Sequence, residues 1–128
     1  MEKQIINNRT LMNLYKCACE GGIRYSSKTN TIVLVINNTK SGRPNIWRGN
    51  IVDFAGRPEK NPDVLTGANR RLENFLENNG QIFLFEVNKP GEYEQKGQVK
   101  SAGPYKMEKD SAEKPYPVFP LEVDSGAL

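Results

Sequence analysis

Histidine is absent from this chain of 128 residues, and only two cysteines are present. Without an imidazole the chain lacks the commonest general base and a common zinc ligand, which excludes hydrolases that depend on either. Cys17 and Cys19 are too close in sequence for good disulfide geometry, and two thiolates alone do not complete a zinc site. We therefore expect both cysteines to be structural and the protein to need no metal or cofactor.

Long apolar runs are also missing, since no stretch approaches the roughly 18 residues that would span a bilayer. The first eight residues contain neither the apolar segment nor the cleavage site of a signal peptide. These features predict a cytoplasmic protein without a membrane partner.

Catalytic and phosphate-binding motifs are equally scarce. Neither the glycine-rich phosphate loop nor the dinucleotide-binding fingerprint occurs. Glu94-Gln95-Lys96 has the Glu-x-Lys spacing of metal-dependent nucleases, but such triplets often arise by chance, and this one is expected on an exposed hairpin. The chain is therefore predicted to bind rather than to catalyse.

Charge, by contrast, is distributed very unevenly. Residues 1–71 carry 12 lysines and arginines against 5 acidic residues, whereas residues 72–128 carry 6 against 10. All the arginines lie in the first region: Arg9, Arg24, Arg43, Arg48, Arg57, Arg70 and Arg71. The arginine fork matches phosphate and guanine edges, so one interpretation is a polyanion-binding face. The alternative is that folding intersperses these charges over an ordinary solvated surface.

Two helices are predicted from apolar periodicity and from capping residues. Thr10 is expected to cap a helix that runs to about Glu20, with Leu11, Leu14 and Ala18 on one side and Gly21-Gly22 after its end. The second helix is expected to begin at Asp63 or Thr66 and to end at Asn79, before Gly80.

Strands are predicted wherever β-branched and aromatic residues cluster between turn-forming residues. The expected strands are Thr31–Ile36, Ile46–Phe54 with a bulge at Gly49, Gln81–Val87, Tyr93–Ser101 and Pro117–Val123. The prolines of the last strand favour an edge position, and Met107–Lys114 is expected to be a solvated loop. The pattern predicts an α+β fold, a strongly bent sheet or open β-barrel with one or two helices packed against it. In this division, residues 1–20 form the N-terminal helix, 21–123 the domain and 124–128 a frayed tail.

Several short motifs follow one another in an order that resembles a known family. They are Gly21-Gly22-Ile23-Arg24, Lys28-Thr29-Asn30-Thr31-Ile32, Trp47-Arg48-Gly49-Asn50, Phe54-Ala55-Gly56, Leu84-Phe85-Glu86-Val87 and Pro90-Gly91-Glu92-Tyr93. From about Gly21 to Val123 the chain resembles SRA (SET- and RING-associated) domains, which read modified bases in DNA. It is most similar to the bacterial branch, which is fused to HNH nucleases in modification-dependent restriction endonucleases.

The resemblance implies an SRA/PUA-like fold and a pocket that receives a base flipped out of the duplex, which in the family pattern is a modified cytosine. Such a base needs an aromatic wall and polar groups at its Watson–Crick edge. Phe54 matches the family's tyrosine wall, with Tyr25 as a second candidate, although core packing is an equal alternative for Phe54. Ala55 stands where the family has threonine. The acidic residue that the family has in this region falls at about Asn45 here, and the nearby Asp53 could take its role. These departures favour a different modified base or a bulkier cytosine derivative.

The resemblance also implies basic loops that hold the flanking double-stranded DNA. The family's DNA-entering finger is reduced to residues 57–61 here, so fewer groove contacts are expected. The backbone or groove candidates are Arg57, Lys60, Asn61, Arg48, Arg43, Asn69 and Arg70. Asn69 and Arg70 open the second helix, where the helix dipole favours a phosphate, but capping and solvation explain them equally well.

Further partners and two rival functions remain open at this point. The resemblance implies a nuclease domain or partner and a role in bacterial defence. One rival is a pocket that binds a free nucleotide or modified nucleoside, with no DNA involved. The other is a protein-interaction module that uses residues 107–114.

Overall fold

Nine strands and two helices are formed in the computed structural model, which describes residues 5–17, 21–39 and 45–124. In chain order they are β1 (Ile5–Ile6), α1 (Asn8–Tyr15), β2 (Ile23–Ser26), β3 (Thr31–Asn37), β4 (Ile46–Arg48), β5 (Ile51–Ala55), α2 (Gly67–Glu77), β6 (Gln81–Lys89), β7 (Glu92–Ala102), β8 (Lys106–Lys109) and β9 (Pro115–Asp124). Arg43 and Cys19, together with Ala18 and Glu20 of the predicted first helix, lie outside the described residues.

All nine strands belong to one sheet whose main order is β2-β3-β6-β7-β9-β5-β4, with β1 added to β7 and β8 to β9. Strands β3 and β6 pair in parallel, and the other pairs are antiparallel. The sheet curls so far that its edge strand β4 comes close to β6. This approach is shown by the indole of Trp47, which donates a hydrogen bond to Glu86 (3.2 Å). The predicted α+β fold, a strongly bent sheet or open β-barrel with one or two helices packed against it, is confirmed.

Burial on both faces of the sheet explains why β3 is apolar from Ile32 to Ile36. Ile32, Leu34 and Ile36 face the main core, whereas Val33 and Val35 face a second cluster on the other side of the sheet. Both faces of the strand are therefore buried, which is typical of a parallel pair. Helix α1 packs on that second cluster through Leu11.

Helix α2 closes one end of the barrel with its apolar side. Leu72 is fully buried and Leu65, just before the helix, is 5% exposed, and both belong to the main core. Phe75 and Leu76 pack against the same core from the next turn. The predicted second helix is confirmed, with Thr66 at its N-cap position.

The first helix differs from its prediction at both ends. Its cap is Asn7, whose side-chain oxygen accepts a hydrogen bond from the Thr10 N–H (2.8 Å). The helix ends at Tyr15, because Lys16 adopts a left-handed conformation there. Leu14, expected to be on the packed side, is 60% exposed.

Residues 46–54 form a hairpin rather than one bulged strand. Arg48 pairs with Ile51, so Gly49 and Asn50 make a two-residue turn in which Gly49 has a φ of 65°. A left-handed first turn residue suits the two-residue hairpin and favours glycine. The predicted single strand with a bulge at Gly49 is therefore wrong, because Gly49 lies in the turn between two strands.

The last strand is not at an edge, contrary to the prediction from its prolines. Strand β9 pairs with β5 on one side and with β7 and β8 on the other. Its prolines still contribute their carbonyl groups: Pro117 accepts from the Gly56 N–H (2.8 Å) and Pro120 from the Gly103 N–H (2.9 Å). Lys106–Lys109 is strand β8, so the loop predicted over 107–114 is also shorter than expected.

No helix among the described residues is long and apolar enough to cross a membrane.

Candidate functional site

The segment after β5 is held tightly against α2 by the side chain of Asn69. The Asn69 Oδ1 accepts from the Arg57 N–H (2.9 Å), and its Nδ2 donates to the Arg57 carbonyl and to Glu59 Oε2 (both 2.8 Å). The residue is only 1% exposed. A Cβ at Gly56 would lie 2.5 Å from Asn69 Oδ1, so this approach requires glycine. Both side-chain N–H groups of Asn69 are therefore used within the protein, and the phosphate contact predicted for Asn69 stays a prediction that depends on its backbone N–H in the first turn of α2.

Glu59 caps α2 from outside the helix. Its carboxylate accepts from the Thr66 N–H (2.8 Å) and the Thr66 hydroxyl (2.6 Å), and it is 8% exposed. Burial alone would raise the pKa of Glu59, but the hydrogen bonds from Thr66 and Asn69 outweigh it and hold that pKa below its usual value. The segment 56–59 is thus anchored to α2, and also to β9 through the Glu59 N–H and the Pro115 carbonyl (2.7 Å).

The anchored segment, the two residues that follow it and the start of α2 present polar and basic side chains to solvent. Arg57, Lys60, Asn61 and Arg70 are all exposed. Arg57 lies across Gly21, since a Cβ at Gly21 would be 2.7 Å from Arg57 Nη2. These four of the predicted DNA-contacting residues are accessible.

Arg48, another predicted contact, already has a partner. Its guanidinium donates a hydrogen bond to Asp53 and forms an ion pair with it. That hydrogen bond and the nearby carboxylate raise the pKa of Arg48 above its ordinary value. Asp53, a predicted pocket residue, is the partner in this ion pair. A phosphate that binds Arg48, or a base that binds Asp53, would therefore have to replace it.

The predicted base-pocket residues do not form one group. Phe54 is 2% exposed within the main core, so neither face of its ring is open to a base, which favours core packing. Tyr25 packs on α2, with its ring 5.9 Å from that of Phe75 and 4.2 Å from the guanidinium of Arg71. Ala55 and Asn45 do adjoin, because the Asn45 Oδ1 accepts from the Ala55 N–H (3.1 Å).

A cleft of mixed polar and apolar lining, which the sequence did not predict, lies at the end of the barrel opposite α2. We call it the barrel-mouth cleft; it has a volume of about 390 Å³ and is lined by Trp47, Gly49, Asn50, Glu86, Lys96 and Val123. Glu86 follows Ile82 and Leu84 on the interior side of β6, which brings a carboxylate into a position where the barrel would otherwise be apolar. The sequence did contain a signal for this site. Glu86 occupies a position of an apolar strand where alternation predicts a core residue, and the chain has a single tryptophan.

Several contacts organise the barrel-mouth cleft. Glu86 Oε2 accepts from Trp47 Nε1 (3.2 Å) and from Asn38 Nδ2 (3.0 Å). The Lys96 ammonium lies 3.6 Å from Glu86 Oε1, 3.6 Å from Glu94 Oε1 and 5.5 Å from the centre of the Trp47 ring. Glu94 and Lys96 lie on the hairpin of β6 and β7, as predicted, but they are partly buried and ion-paired rather than exposed. Within the described residues, no three side chains of metal-ligating type come together.

Known proteins resemble this chain in structure but not in sequence. No family model matches the sequence, and no curated protein matches it. KRYPTONITE in complex with mCHG DNA and SAH superposes with a TM-score of 0.71 at 14% identity, over 98% of this chain and 32% of that one. The SUVH5 SRA domain in complex with fully methylated CG DNA gives 0.68 at 16% identity, over 94% of this chain and 86% of that one. The same domain with methylated CHH DNA gives 0.66 at 16% identity.

These similarities identify the fold as that of SRA domains. The chain spans about a third of the length of KRYPTONITE but nearly the whole of the SUVH5 domain.

Proposed function

We propose that this SRA-fold chain is a non-catalytic DNA-binding domain that recognises a modified base, flipped out of the duplex into a pocket. The observation that carries the proposal is the fold shared with the SUVH5 SRA domain bound to fully methylated CG DNA, over 94% of this chain. KRYPTONITE bound to mCHG DNA supports the same ligand class. A modified cytosine is accordingly the first base to test.

The backbone-binding surface in this proposal is the anchored segment and the start of α2. Arg57, Lys60 and Asn61 would contact phosphates or a groove, with Arg70 beside them. Asn69 and Glu59 act as positioning residues, since their hydrogen bonds fix the segment before DNA arrives. Because the segment is already ordered, binding costs little conformational entropy.

The pocket in this proposal includes the neighbourhood of Asn45 and Ala55, where the family resemblance locates it. The Asn45 amide carries both a donor and an acceptor, so it does not demand a cytosine amino group as a carboxylate would. Asp53 becomes a pocket group only if Arg48 moves to a phosphate. The burial of Phe54 leaves the stacking wall to another aromatic residue.

The biological setting belongs to the same proposal. We place the chain in the cytoplasm of a bacterium, as the reader of a modification-dependent restriction system with a nuclease such as an HNH enzyme as another domain or partner. The support is the set of motifs from Gly21 to Tyr93 that resemble that branch. The chain alone is then expected to bind but not to cut modified DNA when supplied with Mg²⁺ or Mn²⁺. Cleavage by the purified chain would contradict the non-catalytic assignment.

The test of the proposed function is competition fluorescence anisotropy at two salt concentrations. One duplex sequence would carry cytosine, 5-methylcytosine, 5-hydroxymethylcytosine, glucosylated cytosine or N6-methyladenine at a single position. Tighter binding of one modified duplex is expected, with affinity that falls as salt rises. No duplex binding at low salt would overturn the proposal and favour a free nucleotide or a protein partner.

A further inference from the structure

We infer that the barrel-mouth cleft is a binding site for a planar base that carries an exocyclic amino group. The base would stack on Trp47 and donate its amino hydrogen to Glu86, so that neither Phe54 nor Asn45 is the principal reading group. The inference rests on the proposed function where the base comes from DNA, but the same chemistry fits a free nucleoside.

Trp47 supplies the stacking surface that Phe54 cannot. Its indole is only partly buried, and it lines the cleft. Its Nε1 is already bonded to Glu86, which fixes the orientation of the ring. Base–aromatic stacking is favourable for any base, so Trp47 provides affinity without selecting a base.

Glu86 supplies the selection. Its Oε2 already accepts two hydrogen bonds, whereas its Oε1 faces the Lys96 ammonium at 3.6 Å, longer than a hydrogen bond. A carboxylate oxygen in this position can accept an N–H from cytosine N4 or adenine N6, whereas the O4 carbonyl of thymine would face it with like partial charge. The cleft should therefore prefer amino-bearing bases to thymine or uracil.

The reading group is held in place before any ligand binds. Asn38 Nδ2 donates both to Glu86 Oε2 and to Asn88 Oδ1 (2.7 Å), so Asn38 links the carboxylate to the end of β6. Lys96 balances the charge of Glu86 and Glu94 and covers the ring of Trp47. A stacked base would take over that ring face from Lys96. The cleft volume, about 390 Å³, is within the range of small-molecule sites.

The sole tryptophan makes the site directly observable. Intrinsic fluorescence would be titrated with 5-methylcytidine, adenosine and thymidine, and with duplexes that carry 5-methylcytosine or thymine opposite the same partner position. Amino-bearing ligands are expected to quench Trp47 emission, with thymine ligands bound about 5- to 100-fold more weakly. Because this measurement uses the unaltered protein, it does not depend on whether a variant folds.

The variant that tests the reading group is Glu86→Gln, with Glu94→Gln as the matched control. Both changes remove one negative charge at 3.6 Å from Lys96, but only Glu86 lines the cleft. Glu86→Gln is expected to abolish the preference for the amino-bearing base, and Glu94→Gln to keep it. Thermal unfolding of both variants would check that they are folded.

The outcomes separate this inference from the proposed function. Binding of modified duplexes without a change in Trp47 emission, and with the preference intact in Glu86→Gln, would overturn the inference and leave the proposed function standing. Quenching by amino-bearing nucleosides without any duplex binding would support the cleft and overturn the DNA proposal. Absence of both signals would overturn both.

Discussion

The two ends of the barrel are filled in opposite ways by the same strands. Along β6, Ile82 meets the α2 end, Leu84 lies in the middle of the core, and Glu86 stands at the mouth. At the α2 end, leucines seal the core, whereas at the mouth a carboxylate, an ammonium and an indole surround an open cleft. The difference suggests that stability resides mainly at the closed end and ligand selection at the open end.

The largest effect is expected at the closed end, from Leu72→Ala. The side chain is fully buried, so its truncation leaves a cavity and should lower the free energy of unfolding by about 2–5 kcal/mol. Urea denaturation measures this change. Leu14→Ala, at a site 60% exposed, is the control and should change stability by less than about 0.5 kcal/mol. Equal losses in the two variants would contradict the assignment of the core to the α2 end.

The next effect concerns the polar anchor at the same end. Glu59→Ala removes the acceptor for Thr66 and Asn69, and the loss of these hydrogen bonds, which leaves the buried Asn69 amide short of a partner, should cost about 1–3 kcal/mol. The pKa of Glu59 is lowered in the folded state, so its stabilisation is present above the unfolded value of about 4.3 and is lost as pH falls through the folded value. Urea denaturation from pH 7 to pH 3 should therefore show the wild-type advantage over Glu59→Gln shrinking below about pH 4. A constant difference over that range would contradict this account.

A smaller effect, on affinity alone, is expected from the exposed basic residues. Replacement of both Arg57 and Lys60 with alanine should weaken binding of every duplex alike and reduce the salt slope by about two units. Anisotropy titrations at several salt concentrations measure that slope. Replacement of both Lys106 and Lys109 with alanine, both on β8 and each ion-paired with a glutamate, is the matched loss of two charges elsewhere and should leave the slope almost unchanged. An unaltered slope in the double variant of Arg57 and Lys60 would remove this segment from the DNA interface.

The smallest effect is expected from Asp53→Asn. The change removes the ion-pair partner of Arg48 and frees that guanidinium for a phosphate, so the salt slope should become steeper by at most about one unit. The same titrations would detect it. A shallower slope would indicate that Asp53 itself takes part in binding, as the pocket prediction held.

Local sequence patterns predicted those elements whose packing is regular. The continuous run of mainly β-branched residues at 31–36 and the helical spacing of Leu72 and Phe75 each indicate one structure, and both were confirmed. The turn-forming pair Pro90-Gly91 stands between the predicted strands Gln81–Val87 and Tyr93–Ser101, which favours a hairpin, and β6 pairs with β7 in this way. Short-range signals were sufficient there because neighbours in sequence are also neighbours in space.

Contacts between distant segments account for what the sequence did not predict. In the sequence, Asn69 is a polar residue in the first turn of a helix, where exposure is expected. It is buried only because the segment 56–59 packs against α2. Trp47 and Glu86 are 39 residues apart, and curling of the sheet brings them together. The strand β9 looked like an edge because its prolines lack N–H groups, yet their carbonyls still serve neighbouring strands. Position in the sheet, rather than residue type, decided each of these cases.

The parallel pairing of β3 with β6 has a consequence for how quickly this chain reaches its structure. Partners such as Thr31 and Gln81 are 50 residues apart, and the intervening chain contains the β4–β5 hairpin and α2. Closing so long a loop costs entropy before any contact is gained, and such non-local topologies fold slowly. We therefore expect refolding on the millisecond-to-second scale, with the hairpin of β6 and β7 formed before β3 joins it.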